Sequence, residues 1–224
     1  MDKISCIIPA YNEAKRISEV LSVVLKHELI NEIIVVNDGS TDNTLEVVKK
    51  FKNIKIINYK KNMGKSHAVY MAMKKAKNNL FLLLDSDLIG LNKENLTSLI
   101  MPVLNGNADL SISLRKNAPK IFRLIGLDFI SGERVIPRSL VSNYSHMLKL
   151  SGFELEVFLN KHIINKNLRI KVVRWDNVIS PYPNSKFGFV KGTYRFLNMC
   201  KQIFKSIGIF GFFSQIFKML SLIV

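Results

Sequence analysis

Short, mainly apolar runs alternate with longer amphipathic stretches through the first half of the chain. Runs of this kind are typical of strands buried on both faces of a sheet, and they lie at 4–8, 32–37, 54–58, 80–84 and 108–114. Between them, apolar residues recur with helical spacing at about 13–27, from the turn at 38–42 to Val48, at 64–77 and at 93–104. The alternation predicts an α/β fold, a mostly parallel sheet wound in right-handed units and flanked by helices.

The second half of the chain has a less regular pattern. Helices are expected from Pro137 towards Leu150 and at 153–164, and a late strand at 169–175. The remaining segments read as loops, one of them with a short helix, at 117–132 and 180–188. No internal repeat and no domain boundary is evident before about residue 190.

The stretch 195–224 has a different composition, in which small groups of polar residues interrupt a strongly apolar, phenylalanine-rich sequence. The spacing predicts two amphipathic helical segments, hinged near Gly208 and Gly211. Such segments either pack on the preceding domain or lie in the interface of a bilayer, and the accompanying lysines favour the second alternative.

Three polar motifs follow predicted strands, namely 9–13, 38–40 and 85–87. In parallel α/β sheets, ligands bind beyond the carboxyl ends of the strands, so these motifs are expected along one edge. Asp85 and Asp87 stand one residue apart there and can share a hard divalent cation such as Mg²⁺ or Mn²⁺, completed by substrate phosphates. The alternative is a solvated acidic turn that caps the next helix.

The chain carries 33 Lys and Arg against 17 Asp and Glu, a formal net charge of +16. This surplus implies an anionic partner: a nucleic acid, a membrane surface or a phosphorylated substrate. Nucleic acid is not expected, because no nucleic-acid-binding motif is present. Cys6 and Cys200 lack metal-ligand spacing and are interpreted as buried thiols in a reducing cytosol. The start does not resemble a signal peptide, and no uninterrupted apolar run is long enough for a simple spanning helix.

Four motifs make a more specific interpretation possible: PAYNE at 9–13, VNDGSTD at 36–42, NMGKSHAV at 62–69 and DSDLIG at 85–90. In this order and at these separations they resemble the family 2 glycosyltransferases, enzymes with the GT-A fold. The resemblance covers about 3–175 and is closest to small single-domain members, such as polyprenyl-phosphate sugar synthases and glucosyl-3-phosphoglycerate synthases. The Gln-x-x-Arg-Trp motif of processive synthases is missing, which argues against a polymerising enzyme.

The resemblance implies a division of the chain. A GT-A domain at 1–194 would contain a nucleotide-sugar-binding half at 1–115 and an acceptor half at 116–194, followed by a membrane-associating tail at 195–224.

The resemblance also assigns donor contacts to individual residues of the first half. Pro9, Tyr11 and Glu13 match the loop that holds the base and ribose, and Asp38 matches the acid that reads the base. For Asp38, a role in the turn alone is the alternative. Lys65, at a predicted helix start, is expected to face the diphosphate, because a helix N-terminus favours anions.

In the DSD motif, Asp85 resembles the residue that contacts ribose and metal-bound water, Ser86 lies between the two acids, and Asp87 resembles the direct metal ligand. The implied metal, Mg²⁺ or Mn²⁺, stabilises the charge that develops on the leaving nucleoside diphosphate. Asp87 is therefore expected to take part in catalysis.

The acceptor half resembles the family more loosely. Gly132 would allow close approach to the donor sugar, while Arg134 or Arg138 would bind a phosphate. Glu156 matches an acid that deprotonates an acceptor hydroxyl or only orients the substrate. Related enzymes often supply a histidine after the late strand as a further metal ligand. No histidine follows it here, so Asp176, Asn177 or water would replace it.

The expected function is metal-dependent transfer of a sugar from a UDP- or GDP-sugar to a lipid-linked or cell-surface glycan acceptor. The expected location is cytoplasmic, at the inner face of the cell membrane. The alternatives are a soluble transferase acting on a small phosphorylated acid such as phosphoglycerate, a nucleotidyltransferase, and a non-catalytic nucleotide-sugar-binding subunit.

Overall fold

A computed structural model describes residues 3–140, 143–150, 154–181, 204 and 207–224. Within these residues, seven strands form one sheet in the order β3-β2-β1-β4-β6-β5-β7. The strands are β1 (Ile4–Ala10), β2 (Ile30–Asp38), β3 (Lys55–Tyr59), β4 (Leu80–Leu83), β5 (Leu110–Arg115), β6 (Arg134–Pro137) and β7 (Ile170–Trp175). Only β6 is antiparallel to its neighbours β4 and β5, so the mostly parallel α/β sheet predicted from the sequence is confirmed.

Helices cover both faces of the sheet. They are α1 (Ile17–Val24), α2 (Thr44–Lys49), α3 (Lys65–Lys75), α4 (Lys93–Leu104), α5 (Lys120–Ile125), α6 (Glu154–Asn165) and α7 (207–220). Alternate residues of β1 divide between two cores, because successive strand side chains point to opposite faces. Ile7 joins the core under α3, α6 and α7, whereas Cys6 and Ile8 join the core under α1 and α4.

Strand β6 was not predicted. It is four residues long, begins with the charged Arg134 and ends at Pro137, so its sequence contains no extended apolar run. The helix predicted from Pro137 towards Leu150 is wrong, because Pro137 pairs with Leu80 as the last residue of the strand. Short 3-10 helices at Arg138–Leu140 and Tyr144–Lys149 occupy the following described positions.

Helix α7 packs against the domain through one face. Ile216 and Met219 are buried in the core shared with α3 and α6. Gln215 is also buried, and its side chain donates a hydrogen bond to the Val157 carbonyl (3.2 Å). Helix α7 therefore packs on the domain, the first of the two alternatives considered for this stretch.

The end of the chain joins the edge of the sheet. The amide of Val224 donates to the Ile170 carbonyl (3.0 Å), and the Ile170 amide donates to the Leu222 carbonyl (2.8 Å). The hinge expected at Gly211 is wrong, because α7 runs through this residue, whereas Gly208 has a φ of 68°. The loop expected at 180–188 and Cys200 lie largely or wholly outside the described residues.

The described helices include none that is both long and apolar enough to cross a bilayer. The opposite face of α7 is nevertheless apolar and exposed, with Phe210 92% and Phe217 69% accessible. The exposed face of α7 therefore carries phenylalanines, whereas the polar Gln215 lies on its buried face.

Candidate active site

The loops that follow β1 and β2 are joined at the carboxyl edge of the sheet. Asn12 adopts a left-handed φ of 57°, and its side-chain oxygen accepts hydrogen bonds from the amides of Thr41 (2.8 Å) and Asp42 (3.3 Å). The Asn12 amide in turn donates to Ser40 Oγ (3.0 Å). These contacts fix the two loops against each other, as expected for motifs that bind one ligand.

The three residues predicted to hold the base and ribose lie in or beside the first of these loops. Tyr11 is exposed, Pro9 is half-buried at the end of β1, and Glu13 is buried beside Arg16, with 3.4 Å between Glu13 Oε2 and Arg16 Nη1. Tyr11 therefore offers an open ring for stacking. The contacts of all three with a donor remain predictions.

Asp38, the last residue of β2, is buried and organises the approach to α3. Its two carboxylate oxygens accept hydrogen bonds from the amides of Met63 (2.9 Å) and Gly64 (2.8 Å). Asp38 therefore has the structural role in the turn that was the alternative to reading the base. A contact with the base, which stays a prediction, would have to use lone pairs of the carboxylate that the two amides leave free.

Lys65 begins α3 and supplies the positive charge beside the DSD motif. Its Nζ lies 2.8 Å from Asp85 Oδ1 and 3.0 Å from Glu156 Oε1. Burial would by itself raise the pKa of Asp85, but the attraction of Lys65 outweighs burial and holds this pKa below its ordinary value. Burial opposes the charge on Lys65 too, and the two carboxylates raise its pKa. Asp85 and Lys65 are therefore both charged at neutral pH.

Gly132 lies against this ion-pair cluster. A Cβ atom at Gly132 would stand 2.8 Å from both carboxylate oxygens of Asp85 and 2.8 Å from Lys65 Nζ. Since real Cβ atoms do not approach other atoms so closely, a larger residue would displace the two charged groups. The structure thus brings Gly132 to the DSD motif, in agreement with its expected place in the site.

Asp87 lies beyond Asp85, and the segment after β7 reaches it. Ile89 and Ile179 form an antiparallel bridge, and Ser180 Oγ donates to Asp87 Oδ1 at 3.4 Å. Ser86 is buried between the two acids. Asn177, which was expected as a substitute for the missing histidine, instead donates to the Gly90 carbonyl (2.6 Å). Sequence reasoning missed Ser180, since nothing in its loop marks it.

The residues at this edge fit a divalent cation that arrives with a phosphate ligand. No group of three or more His, Cys, Asp or Glu side chains arranged for a metal occurs in the described parts of the chain. Asp85 and Asp87 provide hard carboxylate oxygens, and Mg²⁺ or Mn²⁺ commonly binds one or two carboxylates plus substrate phosphates. The donor set therefore suits a shared protein–substrate site.

The two arginines expected to bind phosphate have different surroundings. Arg134 is fully buried, and its guanidinium donates to the carbonyls of Ser131 and Phe129 (2.7 Å each) and to Asn160 Oδ1 (2.6 Å). These contacts suit a residue that positions the segment 129–134 behind the site. A direct contact of Arg134 with the donor remains a prediction.

Arg138 lies at the opposite edge of the sheet. The adjacent Pro137 pairs with Leu80, the first residue of β4, while Asp85 follows the last. The Arg138 guanidinium donates to the carbonyls of Asn78 (3.1 Å) and Ala76 and lies over the Phe81 ring. The structure therefore does not bring Arg138 to the site, and it corrects the expectation that this residue binds a donor phosphate there.

A buried charged cluster that the sequence did not reveal supports Asp85 from behind. Arg115 lies 3.4 Å from both Asp128 and Glu133, and Glu133 accepts hydrogen bonds from Ser113 and Ser131 (2.8 Å each). Burial raises the pKa of Glu133, and the positive charge of Arg115 favours the charged form of Asp85. Only the folded arrangement brings these residues of β5 and of the segment before β6 together.

Glu156 reaches the same site from the first turn of α6. It is 2% exposed, one oxygen binds Lys65, and the other, Oε2, has no hydrogen-bond partner among the described residues. The cleft that it lines also has apolar walls, from Pro9, Val69, Leu83, Leu84, Leu155 and Leu159. A carboxylate in such a cleft can accept a proton or orient a hydroxyl group.

Comparison with known proteins agrees with this geometry. The sequence model of Glycosyl transferase family 2 matches residues 5–145, which is more than half of the chain. A dolichyl-phosphate beta-glucosyltransferase of Trichomonas vaginalis is 40% identical over 94 residues, or 36% of this chain and 28% of that protein. A poly-beta-1,6-N-acetyl-D-glucosamine synthase of Staphylococcus epidermidis is 36% identical over 93 residues, or 40% of this chain and 23% of that protein. This chain therefore aligns with less than a third of the length of each relative.

Among solved structures, the fold is similar to glucosyl-3-phosphoglycerate synthase of Mycobacterium tuberculosis in complex with Mn²⁺, UDP and phosphoglyceric acid. The TM-score is 0.71 at 21% identity, covering 93% of this chain and 79% of the other. This likeness confirms the GT-A fold. The family match, over more than half of the chain, establishes that this chain belongs to glycosyl transferase family 2.

Proposed function

We propose that this glycosyltransferase transfers a sugar from a UDP- or GDP-sugar, with Mg²⁺ or Mn²⁺, to a lipid-linked or cell-surface glycan acceptor. The observation that carries the proposal is the ion pair between Lys65, the first residue of α3, and Asp85, which follows β4 and stands two positions before Asp87. Carboxylates and an amine meet there at a helix N-terminus, an arrangement that suits a metal-bound diphosphate.

In this proposal, the linked loops after β1 and β2 hold the nucleoside, with Tyr11 against the base and Asp38 beside it. Lys65 has three N–H donors and uses two of them for Asp85 and Glu156, so the third is available to a diphosphate oxygen. The start of α3 adds its helix dipole to the same end of the site.

Asp85 and Asp87 would hold the divalent ion together with the donor phosphates. The ion supplies positive charge where the leaving nucleoside diphosphate becomes more negative. Ser180, hydrogen-bonded to Asp87, orients that carboxylate. Lys65 and the buried cluster behind it keep Asp85 charged and fixed in place before the ion arrives.

The exposed face of α7 supports a location at the inner face of the cell membrane. Phe210, Phe213 and Phe217 point away from the domain core, and the chain has a net charge of +16. Aromatic side chains and a positive surface together favour an anionic bilayer interface. A lipid-linked acceptor would be presented at that surface.

The dolichyl-phosphate and poly-N-acetylglucosamine enzymes among the relatives support a lipid-linked or glycan acceptor. A small phosphorylated acid is the second candidate, and the similarity to a structure that contains phosphoglyceric acid supports it. Binding to vesicles, tested below, distinguishes a membrane-bound acceptor from a soluble one.

Donor and metal binding are tested by thermal shift with UDP-, GDP-, CDP- and dTDP-sugars, with and without Mn²⁺. One nucleotide should stabilise the protein, and only with the ion. Asp87→Ala should abolish this shift. Asp109→Ala, the same change near the start of β5 at the opposite edge of the sheet, is the matched control and should preserve it. Equal responses to all donors with and without Mn²⁺ would contradict the proposal.

A further inference from the structure

We infer that Gln215 of α7 and Asn160 of α6 are positioning residues of the cleft, because buried hydrogen bonds join them to both of its walls. The inference rests on the proposed function, since this cleft is the one that would hold the donor beside Asp85. It gives α7 a role in the reaction that is separate from attachment to a membrane.

The first wall of the cleft is the segment that leads into β6. The Phe129 carbonyl accepts hydrogen bonds from the Arg134 guanidinium and from the Asn160 side-chain amide, 2.7 Å each. The Arg134 guanidinium also donates to Asn160 Oδ1 at 2.6 Å and to the Ser131 carbonyl at 2.7 Å. Phe129, Arg134 and Asn160 are fully buried, so bulk water would not replace a lost hydrogen bond. Asn160 therefore holds this segment on both sides of Gly132.

The position of this segment determines the space beside the ion pair of Lys65 and Asp85. The Gly132 backbone packs so closely on the pair that a Cβ atom there would stand only 2.8 Å from either charged group. A displacement of the segment by about 1 Å would therefore disturb the ion pair, and errors of this size are costly in an active site. Holding the segment in place keeps in place the groups proposed to bind the metal and the diphosphate.

The second wall of the cleft is the beginning of α6. Gln215 Nε2 donates a hydrogen bond to the carbonyl of Val157 at 3.2 Å. Glu156 directly precedes Val157 and lines the cleft, as does Leu159 two residues further along the helix. Gln215 therefore contacts α6 at the part of the helix that forms the wall.

Gln215 also joins the two walls to each other. Its Oε1 accepts a hydrogen bond from Asn160 Nδ2 at 3.2 Å, and the same nitrogen donates to Phe129. Packing alone would be served better by an apolar side chain, such as that of Met219 on the same face of α7, because burying an amide is costly. A buried amide with both ends bonded instead favours one arrangement of its partners.

The test compares Gln215→Met, which removes both hydrogen bonds from a side chain of similar length, with Met219→Ala. Donor affinity is measured by calorimetry with Mn²⁺ and the nucleotide sugar that stabilises the wild-type protein, at a temperature where all three proteins are folded. Gln215→Met should weaken donor binding about tenfold, because 129–134 is no longer held against Asp85. Met219→Ala should lower the melting temperature at least as much and bind the donor as wild type does.

Two results of this comparison would overturn the inference. One is that Gln215→Met binds the donor as tightly as the wild-type protein. The other is that Met219→Ala weakens donor binding to the same extent, because the loss would then follow from general destabilisation of α7.

Hydrogen exchange of the wild-type protein provides a measurement that needs no variant. If donor affinity depends on the position of α7, donor binding must in turn stabilise that position. Donor and Mn²⁺ should therefore slow amide exchange at 157–161 and 213–217 more than in α4, which packs on the other face of the sheet. Equal slowing in α4 and α7, or no slowing in α7, contradicts the positioning role.

The outcomes also separate this inference from the proposed function. If no nucleotide sugar binds the wild-type protein with Mn²⁺, the proposed function fails, and the inference that rests on it fails too. If the wild-type protein binds a donor and Gln215→Met binds it equally well, only the positioning role fails.

Discussion

At the scale of single residues, Lys65 connects the two halves of the candidate site. One amine reaches Asp85 at the end of β4 and Glu156 on α6, residues that are far apart in the sequence. Two acids one residue apart in the DSD motif predicted a nearby positive charge. The structure shows that part of this charge belongs to the protein itself and is present before any metal binds.

Replacing Lys65 by methionine should therefore lower stability. The variant leaves two largely buried carboxylates without their cation, and removing one partner of a buried pair typically costs about 3–5 kcal/mol. Because the Lys65 side chain is 31% exposed, we expect a smaller loss in the free energy of unfolding, about 2 kcal/mol. Urea unfolding measures it, with Lys74→Met, an exposed lysine of the same helix, as control.

The loss of stability caused by Lys65→Met should depend on pH, and the pKa of Asp85 determines in which direction. The pKa of Asp85 is lowered in the folded protein, so its ion pair stabilises the fold above the ordinary aspartate pKa of about 3.9. This contribution is lost as the pH falls through the lowered value. The difference between wild type and Lys65→Met should therefore shrink in acid, and a difference that grew there would contradict the assignment.

Sequence reasoning identified some site residues and missed others for a physical reason. Asp85, Asp87 and Lys65 belong to short contiguous motifs at the ends of elements, and the structure pairs Lys65 with Asp85. Glu133 and Ser180 meet Asp85 and Asp87 only through tertiary contacts. Arg138 was expected in the site, but no local pattern reveals the direction of the strand that precedes it.

At the scale of elements, the turn after β2 depends on a glycine that serves both backbone conformation and packing. Gly39 has a φ of 71°, and a Cβ there would lie 2.3 Å from the Lys61 carbonyl carbon. The turn at 38–40 therefore packs directly against the backbone of 61–62, in the segment that leads into α3.

Gly39→Ala should consequently be much more damaging than the same change at Gly106. Gly106 also has a φ of 71°, but nothing lies within 4 Å of its added Cβ. Left-handed strain alone predicts about 1 kcal/mol for Gly106→Ala, whereas the backbone overlap should bring Gly39→Ala to at least about 3 kcal/mol. Chemical unfolding of both variants checks this, and equal losses would show that packing at Gly39 is unimportant.

The elements of the first half were predictable because each one carries a clear pattern of apolar residues over its whole length, either a continuous run for a strand or helical spacing for a helix. The strands are nearly continuous apolar runs, and α4 even has the bounds predicted from the sequence, 93–104. Strand β6 was not predicted because its position in the sheet, between β4 and β5, depends on pairing with residues distant in the sequence. Its antiparallel direction is a property of the whole sheet.

At the scale of the whole molecule, α7 has one face in the core and one outside. Deleting 195–224 would expose the core that Ile216 and Met219 cover, so the deletion cannot separate folding from membrane binding. Substitutions on the outer face can. The sequence predicted an amphipathic tail, but which face would meet the domain depends on the shape of the surface around α6.

We expect Phe210→Ser, Phe213→Ser and Phe217→Ser, combined, to weaken binding to phosphatidylglycerol–phosphatidylcholine vesicles more than about tenfold, because apolar area inserted in the interface drives attachment. The melting temperature should change little, since these side chains are exposed. Met219→Ala, on the buried face, should instead lower stability by about 3 kcal/mol. Vesicle sedimentation measures membrane binding, and thermal unfolding measures stability. Unchanged sedimentation of the triple variant would exclude this face of α7 as the membrane contact.

The side chain of Asn12 has a consequence for engineering. Because it fastens the first loop to Thr41 and Asp42 of the second, neither loop can adopt a new shape alone. A chimaera intended to accept a different nucleotide should therefore exchange 9–13 and 38–44 as a single cassette. If only one of the two segments were exchanged, the bound nucleotide would contact one loop from each parent protein, and the contacts of Asn12 between the loops would not match.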